Sequence, residues 1–110
     1  WLWKPHLILR TLQDEAVPWH TGVVLWLDAG NFFVGDPQPV VARALQGSDV
    51  AAMRLKCCVE SDWTSAEALR RLGGSHHTIA DRPQLGAYFV VFRKTATALG
   101  FVEDWLRCAE

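Results

Sequence analysis

Gly22-Val23-Val24-Leu25-Trp26-Leu27, followed at once by Asp28-Ala29-Gly30-Asn31, decides the fold class. The first part is an unbroken run of β-branched and large apolar side chains. Such a run predicts a strand buried on both faces, as in a parallel sheet. The second part is polar and flexible, so the strand stops at Asp28 and a turn begins.

Outward from this strand, helices and strands alternate. On its N-terminal side, residues 15–21 carry Pro18, His20 and Thr21 and read as a loop. Before them, Leu2 to Asp14 predicts a helix with Leu7, Ile8, Leu9 and Leu12 as its apolar face. Pro5 suits its first turn, where a missing N–H has no intrahelical partner to lose. On the C-terminal side, Pro37 to Gly47 predicts a second helix, with Asp36 as N-cap and Gly47 as the stop. Val50 to Leu55 is a weaker strand that Lys56-Cys57-Cys58 either continues or leaves. Thr64 to Leu72 is a third helix, opened by a Thr64/Glu67 capping box and ended by Gly73-Gly74. Leu85 to Phe92 is the last strand, and Thr97 to Cys108 a closing helix with Leu99, Val102, Trp105 and Leu106 on one face. This alternation predicts an α/β domain around a mostly parallel sheet. Residues 1–110 show no internal repeat or linker and read as one domain. The chain opens on Trp1 without Met and ends in a helical pattern, so it is expected to be a segment of a longer protein.

Composition narrows the function classes. The chain has 110 residues, half of them apolar, and a net charge of −1. Interspersed charge of both signs argues against nucleic acid or an anionic membrane as the main partner. No apolar run is long enough to span a bilayer, which needs about 18–20 residues, and the N-terminus lacks a signal-peptide layout. A cytoplasmic setting is expected, with the Golgi lumen as the alternative for an anchored parent chain. Three cysteines, Cys57, Cys58 and Cys108, are expected as reduced, largely buried thiols; neighbours rarely pair with each other, so the alternative is a single bridge from Cys108. His76-His77 lies in a Gly/Ser-rich turn and reads as a solvated loop.

Chemistry is expected beyond the carboxyl ends of the strands, where loops diverge in α/β sheets. Asp28-Ala29-Gly30-Asn31 sits at such an end. There Asp28 suits a divalent cation or a ribose hydroxyl, and Gly30 admits a sugar or phosphate close to the backbone. The plainer alternative is that Asp28 caps a turn. Asp62-Trp63-Thr64, with Glu60 nearby, is either a helix start with a packing Trp or a sugar-stacking edge. Gln84, with Gly86-Ala87, has a hydroxyl-binding amide or belongs to an ordinary loop. Lys4 and His6 lie where a diphosphate would meet a helix start, or Lys4 is a solvated lysine. No nucleophile–base pair, P-loop, dinucleotide fingerprint or zinc motif is present.

Five segments together resemble a group of bacterial, algal and viral glycosyltransferases of the GT-A type. Trp1-Leu2-Trp3-Lys4-Pro5-His6-Leu7-Ile8-Leu9 resembles its W-x-W-K-P-x-x-I-L opening. Leu25 to Gly30 looks like its Y-x-D-A-G strand end, and Asp62-Trp63-Thr64 is similar to its W-T-K-x-D/E element. Gln84 to Lys94 follows its Q-x-x-A/G…F-R-K pattern, and Phe101 to Leu106 its closing F-V-x-x-W-L helix. The resemblance implies a GT-A fold and transfer of a sugar from a nucleotide diphosphate sugar to a saccharide or other acceptor, assisted by Mn2+ or Mg2+. In such enzymes the metal stabilises the departing diphosphate. Asp28 would be the catalytic and metal-binding carboxylate, the first Asp of an Asp-x-Asp motif. Gly30 stands where the second Asp would be, with Asn31 or a residue elsewhere as substitute. Lys4 would contact the diphosphate, and Asp62, Trp63 and Gln84 would serve the acceptor or donor sugar. The rival readings are a non-catalytic carbohydrate- or nucleotide-binding module and a degenerate scaffold.

Overall fold

A computed structural model describes residues 2–71 and 79–109. The elements run α1 (Trp3–Gln13), β1 (Val23–Leu27), α2 (Gln38–Ala44), β2 (Val50–Val59), α3 (Glu60–Trp63), α4 (Ala66–Arg71), β3 (Pro83–Arg93) and α5 (Ala96–Ala109). The chain forms two compact units, one of residues 1–52 with 88–110 and one of residues 53–87.

The expected alternation of helix and strand holds, but the mostly parallel sheet does not. The strand order is β1-β3-β2, with β3 in the centre. β1 and β3 are antiparallel, Val23 opposite Arg93 and Leu27 opposite Phe89. β2 also runs against β3. The Arg93 N–H bonds to the Asp49 carbonyl at one end, and the Glu60 N–H to the Arg82 carbonyl at the other. Alternating elements imply parallel strands only if each helix crosses back over the sheet. Here α3 and α4 instead lie within the link between β2 and β3, which then return as a hairpin.

In the first unit, α1 and α5 share one core with the sheet. Ile8 and Leu12 of α1, Val90 and Phe92 of β3, and Ala98 and Val102 of α5 are buried together, with Val24 and Trp26 packed against them. The pairing explains this face: Val24 is opposite Phe92 and Trp26 opposite Val90, and residues two apart on a strand share a side. β1 is therefore only half-buried, with Val23 exposed, rather than covered on both faces as its composition suggests. On α1, Lys4, Pro5, Ile8 and Leu12 are the buried residues, one stripe at helical spacing. The face expected from Leu7, Ile8, Leu9 and Leu12 is therefore turned: Leu7 is exposed and Leu9 only partly buried. α5 starts at Thr95, whose hydroxyl accepts the Ala98 N–H at 3.2 Å.

α2 has Pro37 rather than Asp36 as its N-cap, although the Asp36 carboxylate accepts the Gln38 N–H at 2.9 Å. It stops before Gly47, whose φ of +77° suits glycine.

In the second unit, β2 does continue through Cys57 and Cys58. Their sulfur atoms are bonded to each other, contrary to the expectation of reduced, buried thiols. Successive side chains alternate faces along a regular strand, so sequence periodicity gives no hint of a bond between neighbours. Cys108, in the first unit, is free and exposed. The expected Thr64/Glu67 capping box does not form. Ser65, not Thr64, accepts the Ala68 N–H at 3.1 Å, while the Thr64 hydroxyl donates to the Glu60 carboxylate at 2.6 Å. Glu67 pairs instead with Arg70 and Arg71 one turn on. The Gly73-Gly74 stop and the His76-His77 pair lie outside the described residues. Among the described residues, no helix is long and apolar enough to cross a membrane.

Candidate functional site

α1 and the end of β1 bring a lysine, a carboxylate and two indoles together in the first unit. Pro5 and Ile8 seat α1 on the core, which turns the preceding Lys4 inward and leaves it only 8% exposed. Its ammonium donates to Asp28 Oδ1 at 2.8 Å. The Trp26 indole N–H donates to the same oxygen, also at 2.8 Å. Trp26 precedes Asp28 by two residues, so strand periodicity sets both side chains on one side. The ladder extends this far, since the Asp28 N–H bonds to the Tyr88 carbonyl. The ammonium also lies 5.5 Å from the centre of the Trp26 ring and 6.0 Å from that of Trp3. The two indoles stand 5.4 Å apart, tilted by 57°, and Trp3 is half exposed.

The arrangement is asymmetric. The Lys4 side chain is 10% exposed and the Asp28 side chain 42%. The cation is covered and the anion is reachable. Oδ1 takes both donors, and no hydrogen bond from the described residues reaches Oδ2. A carboxylate held this way keeps one open acceptor beside an exposed aromatic face, the pairing that a sugar or ribose needs for its hydroxyls and its C–H face.

Hydrogen bonding fixes the charge state. The Lys4 ammonium first, then the Trp26 indole, hold the Asp28 carboxyl below the ordinary 3.8, with burial opposing and the Lys4 charge assisting. A lowered carboxyl contributes stability above its unfolded value and loses it as pH falls through the folded value. The Asp28 carboxyl carbon, followed by NMR, is therefore expected to titrate below pH 3.8. Lys4→Met should move that midpoint upward; an unchanged midpoint would break the link between the two residues.

The turn after Asp28 is built locally. The Asn31 N–H and its side-chain amide both donate to the Asp28 carbonyl, at 3.0 and 2.9 Å. Asp28 thus closes the turn through its backbone, while its side chain serves Lys4 and Trp26. A Cβ added at Gly30 would meet no atom within 4 Å, so the turn leaves open space beside its backbone. His6 is exposed on α1. Asp62, Trp63 and Gln84 belong to the second unit. Asp62 is exposed on α3, Trp63 is 68% exposed rather than packed, and Gln84 is half-buried at the start of β3.

The donor set does not fit a protein-held Mn2+ or Mg2+. Among the described residues no three His, Cys, Asp or Glu side chains converge. Asp28 offers one open oxygen, Gly30 has no side chain, and the Asn31 amide is directed at the turn. The Lys4 ammonium on Oδ1 also repels a second cation. Trp3 and Trp26, the indoles of the cluster, were not among the residues the sequence singled out. Trp26 had a legible signal, being two residues before a strand-end Asp.

Compared with protein-family models, curated proteins and solved structures, the chain matches none of them.

Proposed function

We propose that the chain is a nucleotide-sugar-handling domain of glycosyltransferase type, in which Asp28 accepts hydrogen bonds from hydroxyls of the donor. The observation that carries this is the Lys4–Asp28–Trp26 cluster, which keeps Asp28 ionised and oriented with one oxygen free. Trp3 adds an indole face for the ribose or sugar ring. Lys4 then acts as a positioning residue for Asp28 and not as a direct phosphate contact, because its ammonium is covered and already engaged. In the second unit Trp63 has an exposed indole, and a sugar-side role for Asp62, Trp63 and Gln84 rests on the motif resemblance alone. The GT-A architecture rests on the motif resemblance, and a cytoplasmic setting, or the Golgi lumen for an anchored parent chain, on the composition of the chain. No step is assigned to Mn2+ or Mg2+.

A second function has its own support. Gly30 in place of a second Asp, together with Lys4 on Oδ1, favours a carbohydrate- or nucleotide-binding module without transfer chemistry.

Thermal unfolding with UDP, GDP and their common sugar conjugates tests both, each with Mn2+ and with EDTA. A donor at about a hundred times its Kd stabilises the fold by about 2.7 kcal/mol, a rise of several degrees at this size. The expected result is such a shift in the wild type, lost in Asp28→Asn. Persistence of the shift in EDTA agrees with the donor set above, and sugar release or transfer separates enzyme from binding module. No shift with any nucleotide or sugar nucleotide overturns the donor reading and the nucleotide-binding module alike.

A further inference from the structure

At the far end of α1 from Asp28 lies a second pocket, about 330 Å³, walled by Gln13, Val17, Trp19, Lys94 and Leu99, with Glu15 among its residues. Helical rise puts Gln13 about 13 Å along the axis from Lys4. Lys94 is the unusual wall. It is 3% exposed, yet no carboxylate among the described residues forms an ion pair with it. Its ammonium donates to the Asp14 carbonyl at 2.7 Å and lies 5.3 Å from the centre of the Trp19 ring. The Asp14 carboxylate is occupied elsewhere, accepting the Ala16 N–H at 2.8 Å.

An ammonium has three donors, and a buried charge without an ionised partner is unfavourable. The carbonyl end of α1 offsets part of this with its partial negative charge. The rest is left for an occupant of the pocket. One cation, with Glu15 close by, suits one negative charge and disfavours a dianion. Val17, Leu99 and the Trp19 ring suit an apolar or ring-shaped body. We propose that this pocket binds a small organic carboxylate, its anionic group on Lys94 and its body against Trp19 and Leu99. The inference is independent of the Asp28 site.

Benzoate is the probe, titrated into the 110-residue chain and followed by amide and indole NMR. Saturable shifts are expected at the Trp19 indole and in the first turn of α5. Benzyl alcohol, which has the same ring and no charge, should bind at least about ten-fold more weakly, as expected for loss of a charged hydrogen bond. Lys94→Gln keeps a polar side chain of similar stem but removes the charge, and it should lose benzoate binding. The wild-type comparison of benzoate with benzyl alcohol stands even if that variant unfolds. Absent shifts, equal binding of the alcohol, a folded Lys94→Gln variant that still binds benzoate, or binding of inorganic phosphate in preference to benzoate would each overturn the proposal.

Discussion

Phe92→Ala is expected to lower stability by about 3–5 kcal/mol, the range for emptying a fully buried aromatic site. Phe92 is 0% exposed and belongs to the cluster that joins α1, β3 and α5. It also stands opposite Val24 on β1, the strand that ends at Asp28. Neither helix can close over the space, because each is already seated on the sheet through its own buried stripe. A domain of this size has only about 5–15 kcal/mol in total, so the variant should sit near its unfolding threshold at room temperature. Urea denaturation checks this: the midpoint should fall sharply while the slope is unchanged. Phe33→Ala is the control. Phe33 is half exposed in the loop after β1, and its loss should change stability by no more than about 0.5 kcal/mol. Similar midpoints for the two variants would mean that Phe92 is not the keystone of this core.

Gly22→Ala should be the second severe change, at about 1–3 kcal/mol, the usual penalty for inserting a methyl where there is no room. A Cβ at Gly22 would lie 2.5 Å from the Pro18 carbonyl oxygen and 2.5 Å from a Val17 methyl. The carbonyl cannot step aside cheaply, because it accepts the Gly22 N–H at 2.8 Å. The Gly22 carbonyl in turn accepts the Lys94 N–H, and the His20 N–H bonds to the Lys94 carbonyl. A methyl there disturbs three backbone hydrogen bonds of one loop, next to His20, already held at φ +63°. Gly30→Ala is the informative contrast. Its Cβ meets open space and its backbone is not left-handed, so melting should be unchanged or raised, by up to about 1 kcal/mol. A loss of nucleotide-sugar binding in Gly30→Ala without loss of stability would separate a ligand-approach role from a structural one. Equal melting temperatures for the two variants would overturn the steric account of Gly22.

Much of the chain was legible from local signals. The existence of α1, the turn after Asp28 and the closing helix all follow from patterns within a few residues. The buried face of α1 does not, since Leu7 is exposed while Lys4 and Pro5 are covered. Strand direction did not, because pairing of β1 with β3 joins positions more than sixty apart in the chain, for which a single sequence carries no register signal. The run Val23–Leu27 looked doubly buried since composition reports hydrophobicity and not coverage. Thr64 and Glu67 matched a capping box, yet Ser65 took the cap, one residue being within the uncertainty of any helix start. At the candidate site, the strand end singled out Asp28 and the helix start Lys4, with the motif likeness pointing to the same pair, and helix and strand place them 2.8 Å apart. Their roles were less legible. A covered ammonium neutralised by its own carboxylate is a property of packing, as is the burial of Lys94 at a second pocket.

The tilted Trp3–Trp26 pair has an optical consequence. Two indoles 5.4 Å apart, their planes inclined by 57°, are close enough for exciton coupling, which gives a paired positive and negative band in the circular dichroism of the aromatic transitions when their transition dipoles are skewed. Because one ring lies on α1 and the other on β1, that couplet reads the docking of the helix on the strand. Because Trp26 also donates to Asp28, a ligand that draws on the carboxylate must act on one of the two oscillators. The cluster therefore carries its own unlabelled spectroscopic reporter, sensitive to geometry and separate from the summed emission of the chain's six tryptophans.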